Sequence, residues 1–252
     1  MPASWPQRLG ALLLAFAACG TARADDLVVS AASSLTNAFQ AVAKGYEAAH
    51  PGTHVVLNFA SSDTLLRQIL NGAPADVYAS ADPVAMDRAQ SQGAIVPGTR
   101  VDFAGNQLVV IVPAGTRTHL AVLADLAGPE FGRIAWGNPA SVPVGRYTQR
   151  VLRDAGLAGQ LAPRAVLAQN VRQCLDYVVR DEVDAGFVYA TDAAIAGSKV
   201  KVALRLPTPT PITYPIAVVA HSPHAAQAQS FIDYVRSAAG QQVMARFGFL
   251  AP

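Results

Sequence analysis

The sequence predicts an α/β protein built from two lobes. Strand and helix patterns alternate along the chain from residue 27, which is the order expected of a parallel sheet with helices on both faces. Two continuous apolar runs, residues 108–112 and 216–220, are alike in length and character, and we expect the chain to cross between the lobes there. A length of 252 residues is enough for two modest cores. A single doubly wound domain fits these patterns almost as well.

The first part of the alternation contains five elements. Residues 35–50 place apolar side chains on one helical face, and residues 54–59 alternate as a strand does. The predicted strands are residues 27–29, 54–59 and 77–79, and the predicted helices are residues 35–50 and 65–70.

The rest of the chain continues with the same two kinds of element. Residues 108–112 are apolar throughout, which is typical of a strand buried on both faces. The Thr-Pro-Thr-Pro segment at residues 208–211 is a stiff linker that precedes the second apolar run. The remaining predicted strands are residues 134–136, 187–189 and 216–220, and the remaining helices are residues 146–155, 171–180, 225–238 and 241–247.

The first 24 residues have the pattern of a secretory signal peptide. Arg8 precedes a short apolar run at residues 9–19, which is too short to span a bilayer, and Ala-Arg-Ala at residues 22–24 fits the small-x-small rule for cleavage. We therefore expect a mature protein that begins near Asp25. A rival interpretation makes Cys19 a lipidated first residue, but the residues before it match that pattern poorly.

Composition argues against a nucleic-acid-binding protein. Hydrophobic residues make up 52% of the chain and charged residues only 14%, which indicates a compact globular protein. Arg8 and Arg23 account for the excess of basic over acidic residues, so the mature chain is neutral and shows no basic cluster. Any anion that it binds must therefore be held by something other than bulk positive charge.

Four predicted helix starts carry groups that suit an anion. A helix N-terminus leaves backbone N–H groups without partners and carries partial positive charge, and an oxyanion satisfies both. In open α/β sheets these helix starts lie beyond the carboxyl ends of the strands. Ordinary helix capping is the alternative at each place, although a second Ser in each Ser-Ser pair is not needed for a cap. The four segments are residues 32–37, 60–64, 142–146 and 169–172.

Eight ordered segments of the chain carry a family resemblance. They are AASSLTNAFQ (31–40), FASSDTLLRQIL (59–70), GAPADVYASAD (72–82), NQLVVIVP (106–113), VPVGRY (142–147), NVRQCLDYV (170–178), DAGFVYATDA (184–193) and YPIAVV (214–219). Together they resemble the periplasmic molybdate-binding proteins of ABC transporters. The match runs from about residue 26 to the end of the chain.

The resemblance implies a type II periplasmic binding protein-like fold, with two lobes of mixed, mainly parallel sheets and a hinge. We place lobe one at residues 26–106 plus 214–252 and lobe two at residues 107–213, after a signal peptide at residues 1–24. The implied function is capture of molybdate, and also of tungstate, in the interlobe cleft for a membrane permease of an ABC transporter. The resemblance further implies a periplasmic monomer that is not an enzyme and needs no cofactor, bare metal cation or nucleic acid.

The resemblance also implies five oxyanion ligands. Carried over position by position, they are hydroxyl and backbone donors of Ser34 and Ser62, the backbone N–H groups of Val144 and Val171, and the phenol of Tyr189. The family often has Ala where this chain has Val144, but an amide donor does not depend on the side chain.

Asp63 is a departure from the family pattern, which usually has Ser or Gly at that position. A carboxylate aimed at a dianion is repulsive, so we expect Asp63 to point to solvent or to cap its helix. The five ligands offer donors and no carboxylate. Hydrogen phosphate carries a proton and needs an acceptor, so the site should favour molybdate, tungstate or sulfate over phosphate.

Three other functions stay open at this level. A hydrolase could use Ser34 or Ser62 as a nucleophile, but none of the five histidines lies in a recognisable triad motif and there is no G-x-S-x-G elbow. A metal-cation binder has only the close pair His221 and His224. A binding protein for another tetrahedral oxyanion, such as sulfate, fits the composition equally well.

Overall fold

The computed structural model describes Met1 and residues 25–252 of the chain. The predicted signal peptide and Cys19 therefore lie outside the described residues. Among the helices that are described, none is long and apolar enough to cross a membrane.

Two five-stranded sheets form the framework of the molecule. The first has the order β2-β1-β3-β10-β4, and the second has the order β7-β6-β8-β5-β9. The strands of the first sheet are β1 (Asp25–Ala32), β2 (Thr53–Ala60), β3 (Val77–Ala79), β4 (Val101–Asn106) and β10 (Ile212–Val218). Those of the second are β5 (Leu108–Pro113), β6 (Ile134–Gly137), β7 (Ala165–Ala168), β8 (Ala185–Tyr189) and β9 (Val200–Leu206).

Helices connect most of the parallel strands and cover the sheets. Within the first lobe they are α1 (Thr36–Ala49), α2 (Ser62–Leu70), α3 (Pro83–Ser91), α8 (Ala225–Arg236) and α9 (Ala238–Arg246). Within the second they are α4 (Pro143–Asp154), α5 (Ala158–Leu161), α6 (Val171–Val179) and α7 (Ala190–Ala196). A short 3₁₀ turn, Ser33–Leu35, precedes α1.

The two-lobed α/β architecture confirms the predicted fold class, although the parallel share of the sheets is smaller than expected. In each sheet two strand pairs are parallel and two are antiparallel. The reason is the path of the chain. β5 and β10 each enter a sheet from the other lobe, and each runs antiparallel to both of its neighbours.

The prediction that the two apolar runs are crossovers is wrong. The first run lies in β5 and the second begins in β10, which ends at Val218. Every residue of β5 is buried, as a strand covered on both faces requires. The chain crosses between the sheets at Gln107 and again at residues 207–211. Crossing segments are therefore short and polar or proline-rich, and the apolar strands that follow them fill the two sheets.

The C-terminal helices belong with the first sheet. The ring of Phe39 on α1 lies 5.7 Å from that of Phe103 on β4 and 6.0 Å from that of Phe231 on α8. These buried rings join the C-terminal segment to the first lobe. On this basis we propose the lobe division given above, 26–106 plus 214–252 and 107–213, with β10 beginning two residues earlier, at Ile212.

Six of the described helices and strands were not predicted from sequence: α3, α5, α7, β4, β7 and β9. A signal for α3 was present, because Asp82 accepts a hydrogen bond from the backbone N–H of Ala85 and Pro83 takes the first helical position. The strand β7 is only partly buried, so its residues lack the apolar pattern of an interior strand.

Candidate functional site

A small cavity lies between the two lobes. Its free volume is about 10 Å³, close to that of one water-sized sphere, so the lobes meet here with little space between them. The lining residues follow the carboxyl ends of parallel strands in both sheets, where ligands of open α/β folds bind. They are Ala32, Ser33, Ser34, Ser61, Ser62, Ala81, Val142, Pro143, Val144, Val171 and Tyr189.

All five residues that the sequence singled out line this one cavity. Ser34 and Ser62 come from the first lobe, and Val144, Val171 and Tyr189 come from the second. Each is buried. The structure therefore brings together positions that are up to 155 residues apart in sequence, and their role as ligands is taken up as a proposal below.

Helix starts surround the cavity. The 3₁₀ turn at Ser33–Leu35 has no side-chain cap, and the same is true of the α-helices α2 and α4. α2 begins at Ser62 and α4 begins at Pro143, and neither helix has a capping hydrogen bond from the side chain of its N-cap residue. The hydroxyl of Ser61 donates instead to the Oγ1 of Thr64 at 2.8 Å. These two N-cap side chains therefore do not occupy the first amides of the helices. Pro143 has no N–H group, so Val144 supplies the first amide of α4, and Ser62 supplies that of α2.

The fourth start, that of α6, is capped. The side chain of Asn170 accepts a hydrogen bond from the backbone N–H of Gln173 at 3.0 Å. The capping alternative is therefore correct for Asn170, while Val171, the next residue, lines the cavity.

The two serine hydroxyls are held so that each keeps a proton to donate. The Oγ of Ser62 accepts from the backbone N–H of Ala81 at 3.0 Å. The Oγ of Ser34 lies 3.1 Å from the phenol of Tyr214, which itself accepts from the Nδ2 of Asn106 at 3.2 Å. Either hydroxyl of this pair can be the donor. Because Asn106 donates to the phenol oxygen, the phenol proton needs a different acceptor, and the Oγ of Ser34 lies within reach; with Tyr214 as the donor, the hydroxyl of Ser34 can donate to a ligand.

Tyr214 and Asn106 were missed as part of the site from sequence. Both are buried, and both lie at the edge of the first sheet, where β4 and β10 pair. A tyrosine in a strand is usually a core residue, and nothing local shows that its hydroxyl meets a serine 180 residues away.

Tyr189 is a permanent donor. Its hydroxyl donates to the carbonyl of Ala81 at 3.4 Å, a long contact that a better acceptor can replace. Burial raises the pKa of Tyr189 well above its ordinary value, and the neighbouring Tyr214 adds to the effect. The phenol therefore keeps its proton at physiological pH.

The prediction that Asp63 points to solvent or caps its helix is wrong. The side chain is buried and paired with two guanidinium groups, those of Arg88 at 2.5 Å and Arg146 at 2.8 Å. Arg146 also bonds through its Nε to Asp82 at 2.7 Å. The carboxylate beside the cavity is therefore neutralised by arginines, and it is absent from the cavity lining.

A second arginine network lies on the other side of the cavity. Arg172 donates to the Oδ1 of Asn37 at 2.8 Å and to the carbonyl of Ser34 at 3.2 Å, both in the first lobe. Its Nε lies 2.7 Å from Asp192, which is fully buried. Burial raises the pKa of Asp192 to about 6, although the guanidinium opposes the shift.

The geometry does not assemble the alternative sites. Among residues 25–252, neither Ser34 nor Ser62 has a histidine as hydrogen-bond partner. His224 lies 3.5 Å from Asp76. No group of three or more His, Cys, Asp or Glu side chains that could hold a metal ion occurs in the described part of the chain.

Comparison with known proteins gives consistent results. A family model described as bacterial extracellular solute-binding protein matches residues 27–250. The molybdate-binding protein ModA of Escherichia coli K12 is 37% identical over 257 residues, which cover 99% of each chain. A putative ABC transporter substrate-binding lipoprotein of Bacillus subtilis, YvgL, is 34% identical and covers 89% of this chain and 86% of its own. The solved periplasmic molybdate-binding protein of Azotobacter vinelandii superposes with a TM-score of 0.81 at 26% identity, covering 90% of this chain and 99% of its own.

Proposed function

Because the chain belongs to the bacterial extracellular solute-binding proteins, we propose that it captures molybdate between its lobes for import by an ABC transporter. The single observation that carries the proposal is the chemistry of the interlobe cavity. Its lining contains hydroxyls, backbone amides and apolar groups, and none of the lining residues is a lysine, arginine, histidine, aspartate or glutamate. Such a site offers hydrogen-bond donors to a dianion without a fixed counter-charge.

In this proposal each lobe supplies part of the ligand shell. The hydroxyls and amides of Ser34 and Ser62 bind from lobe one, and the amides of Val144 and Val171 and the phenol of Tyr189 bind from lobe two. The aligned dipoles of α2, α4 and α6 add partial positive charge to the amides. An oxyanion that uses donors of both lobes favours the closed arrangement, and a permease can then distinguish loaded from empty protein.

The proposed selectivity follows from protonation. Molybdate and tungstate are full dianions at neutral pH and need donors only, whereas hydrogen phosphate also needs an acceptor for its proton. The carboxylate of Asp63 is paired with the guanidinium groups of Arg88 and Arg146 and is not among the residues that line the cavity. We therefore expect molybdate and tungstate to bind and phosphate to be rejected.

The remaining parts of the proposal concern location and partners. We propose that residues 1–24 direct export to the periplasm, that Cys19 is not lipidated, and that the mature protein acts as a monomer that delivers its ligand to a membrane permease. Neither a cofactor nor a bare metal cation is needed for this function.

Isothermal titration calorimetry of the mature protein tests the function. Molybdate, tungstate, sulfate and phosphate are titrated separately in a chloride buffer. We expect tight, one-to-one binding of molybdate and tungstate and no heat from phosphate. If molybdate gives no heat of binding and sulfate does, the ligand is sulfate. If none of the four anions gives heat of binding, the proposed carrier function is wrong.

The Ser62→Ala variant, with Ser61→Ala as its matched control, tests the site. Both hydroxyls lie at the cavity, but that of Ser61 is committed to Thr64. Loss of a hydrogen bond to a charged ligand at Ser62 should weaken binding by roughly 1.5–3 kcal/mol. Equal affinities of the two variants would take Ser62 out of the ligand shell.

A further inference from the structure

Arg146 connects the two lobes beside the cavity. It lies on α4 in the second lobe, and its guanidinium reaches Asp63 on α2 at 2.8 Å and Asp82, the residue before α3, at 2.7 Å. The side chains are 16%, 5% and 2% exposed, respectively. An ion pair this well removed from solvent is screened little, so it acts strongly while the lobes are together.

Each member of this cluster is next to a residue of the cavity wall. Asp63 follows Ser62, Asp82 follows Ala81, and Arg146 lies two residues after Val144. Asp63 and Asp82 belong to the first lobe and Arg146 to the second, so the movement that brings the wall residues of the two lobes together also brings Arg146 to the two carboxylates. Assembly of the cavity and formation of the ion pairs are one event.

The carboxylates keep partners of their own lobe when the lobes separate. Asp63 retains Arg88 at 2.5 Å, and Asp82 retains the backbone N–H of Ala85 at 3.1 Å. Among the described residues of its own lobe, Arg146 keeps only a long hydrogen bond, 3.5 Å, to the carbonyl of Pro139. The ion pairs therefore contribute to the closed form of the protein and little to the stability of either lobe alone.

Charge balance also depends on Arg146. With the lobes apart, Asp63 and Asp82 carry two negative charges against the single positive charge of Arg88. A net negative charge beside the cavity wall repels a dianion. When Arg146 arrives, this cluster of two carboxylates and two guanidinium groups is neutral.

We propose that Arg146 is a positioning residue. Its ion pairs with Asp63 and Asp82 stabilise the closed arrangement of the lobes and thereby slow release of the bound anion. The proposal rests on the proposed function. Removing one partner of a desolvated charge pair acts mainly on the dissociation rate. Arg146→Met should therefore release molybdate roughly 10- to 100-fold faster, with an association rate close to that of the wild type.

The experiment measures release of radiolabelled molybdate after a chase with excess unlabelled molybdate, together with the melting temperature with and without molybdate. Arg153→Met is the matched control, because Arg153 lies on the same helix, is exposed and makes no ion pair among the described residues. We expect Arg146→Met to speed release and to shrink the molybdate-induced rise in melting temperature. Its ligand-free melting temperature should match that of Arg153→Met.

Two further variants separate the effect of the interlobe ion pairs of Arg146 from a general effect on folding. Arg146→Lys should release molybdate at an intermediate rate, because an ammonium group lacks the planar fork that reaches two carboxylates. Asp63→Asn combined with Arg146→Met should release it more slowly than Arg146→Met alone, because the cluster then has one carboxylate, that of Asp82, against the guanidinium of Arg88 and is neutral again.

The outcomes distinguish the two proposals. A wild-type protein that does not bind molybdate overturns the proposed function and this inference with it. Tight wild-type binding with the same release rate in Arg146→Met and Arg153→Met overturns this inference alone. The same holds if the ligand-free melting temperature of Arg146→Met falls as far as the one with molybdate, because the role is then structural.

Discussion

At the residue scale, the site depends on how each hydroxyl is already bonded. Ser62 accepts from Ala81 and Ser34 is paired with Tyr214, so both have their acceptor side engaged and their protons available. Within residues 25–252, the hydroxyl of Tyr189 has only the long hydrogen bond to the carbonyl of Ala81. A set of hydroxyls prepared in this way binds a proton-free anion without reorganising other groups.

Tyr189→Phe should therefore weaken molybdate binding with little change in stability. The phenol contributes one hydrogen bond to a charged ligand, worth roughly 1.5–3 kcal/mol, while its present bond of 3.4 Å is weak. Titration calorimetry and urea unfolding of the same samples separate the two effects. Tyr177→Phe, on α6 and outside the cavity, is the control. A large loss of stability in Tyr189→Phe would show that the phenol is structural.

The buried carboxyl group of Asp192 makes the free energy of unfolding depend on pH. Burial raises its pKa from 3.8 in the unfolded chain to about 6 in the folded protein, so the folded state binds the proton more tightly. This contribution to stability is fully present below about pH 4 and is lost as the pH rises through 6. Its full size is about 3 kcal/mol, from a shift of about two pKa units.

Urea unfolding of the wild type and Asp192→Asn at pH 4.5 and 7.5 measures this contribution. The free energy of unfolding of the wild type, relative to that of the variant, should be higher at pH 4.5. A difference between the two proteins that is the same at both pH values would mean that the folded pKa of Asp192 is not raised.

At the element scale, the start of α4 is fixed by close contact with the end of β6. A Cβ atom on Gly145 would lie 1.9 Å from the carbonyl oxygen of Gly137 and 2.5 Å from its carbonyl carbon. The helix can approach the strand so closely only because residue 145 has no side chain. This contact positions the backbone of Val144 in the cavity wall and directs Arg146 across the cleft.

Gly145→Ala should therefore damage both stability and binding. Overpacking against backbone that cannot move costs about 1–3 kcal/mol and displaces the amide of Val144. Gly159→Ala is the control, because a Cβ atom there meets nothing within 4 Å. Urea unfolding and molybdate titration of both variants test the prediction. Unchanged binding in Gly145→Ala would show that the position of α4 does not limit the site.

At the scale of the whole molecule, binding should be independent of pH over the neutral and mildly alkaline range. Backbone amides and serine hydroxyls do not titrate, and burial keeps Tyr189 and Tyr214 protonated by raising the pKa of each. Molybdate affinity should vary less than about 3-fold between pH 7 and 9, as measured by calorimetry. A steep change within that range would show that a titrating group contacts the anion.

Part of this molecule was determined by its sequence. The alternation of strand and helix patterns predicted two α/β lobes, and continuous burial of residues 108–112 was visible in their composition. The family resemblance carried by the segments around Ser34, Ser62, Val144, Val171 and Tyr189 implied the same five residues that the fold places around one cavity. Such features are local, because periodicity and capping depend on residues a few positions apart.

The tertiary structure alone decided the electrostatics of the site. The sequence places the carboxylate of Asp63 directly after a predicted anion ligand. In the structure it is paired with Arg88 and with Arg146 of the other lobe. The bond from Tyr214 to Ser34 joins residues 180 positions apart. The contact of Arg146 with Asp63 depends on how the two lobes face each other, and that of Tyr214 with Ser34 depends on how the C-terminal segment packs into the first lobe. Local periodicity carries no information about that orientation, because the same helices and strands would form whichever way the lobes were set.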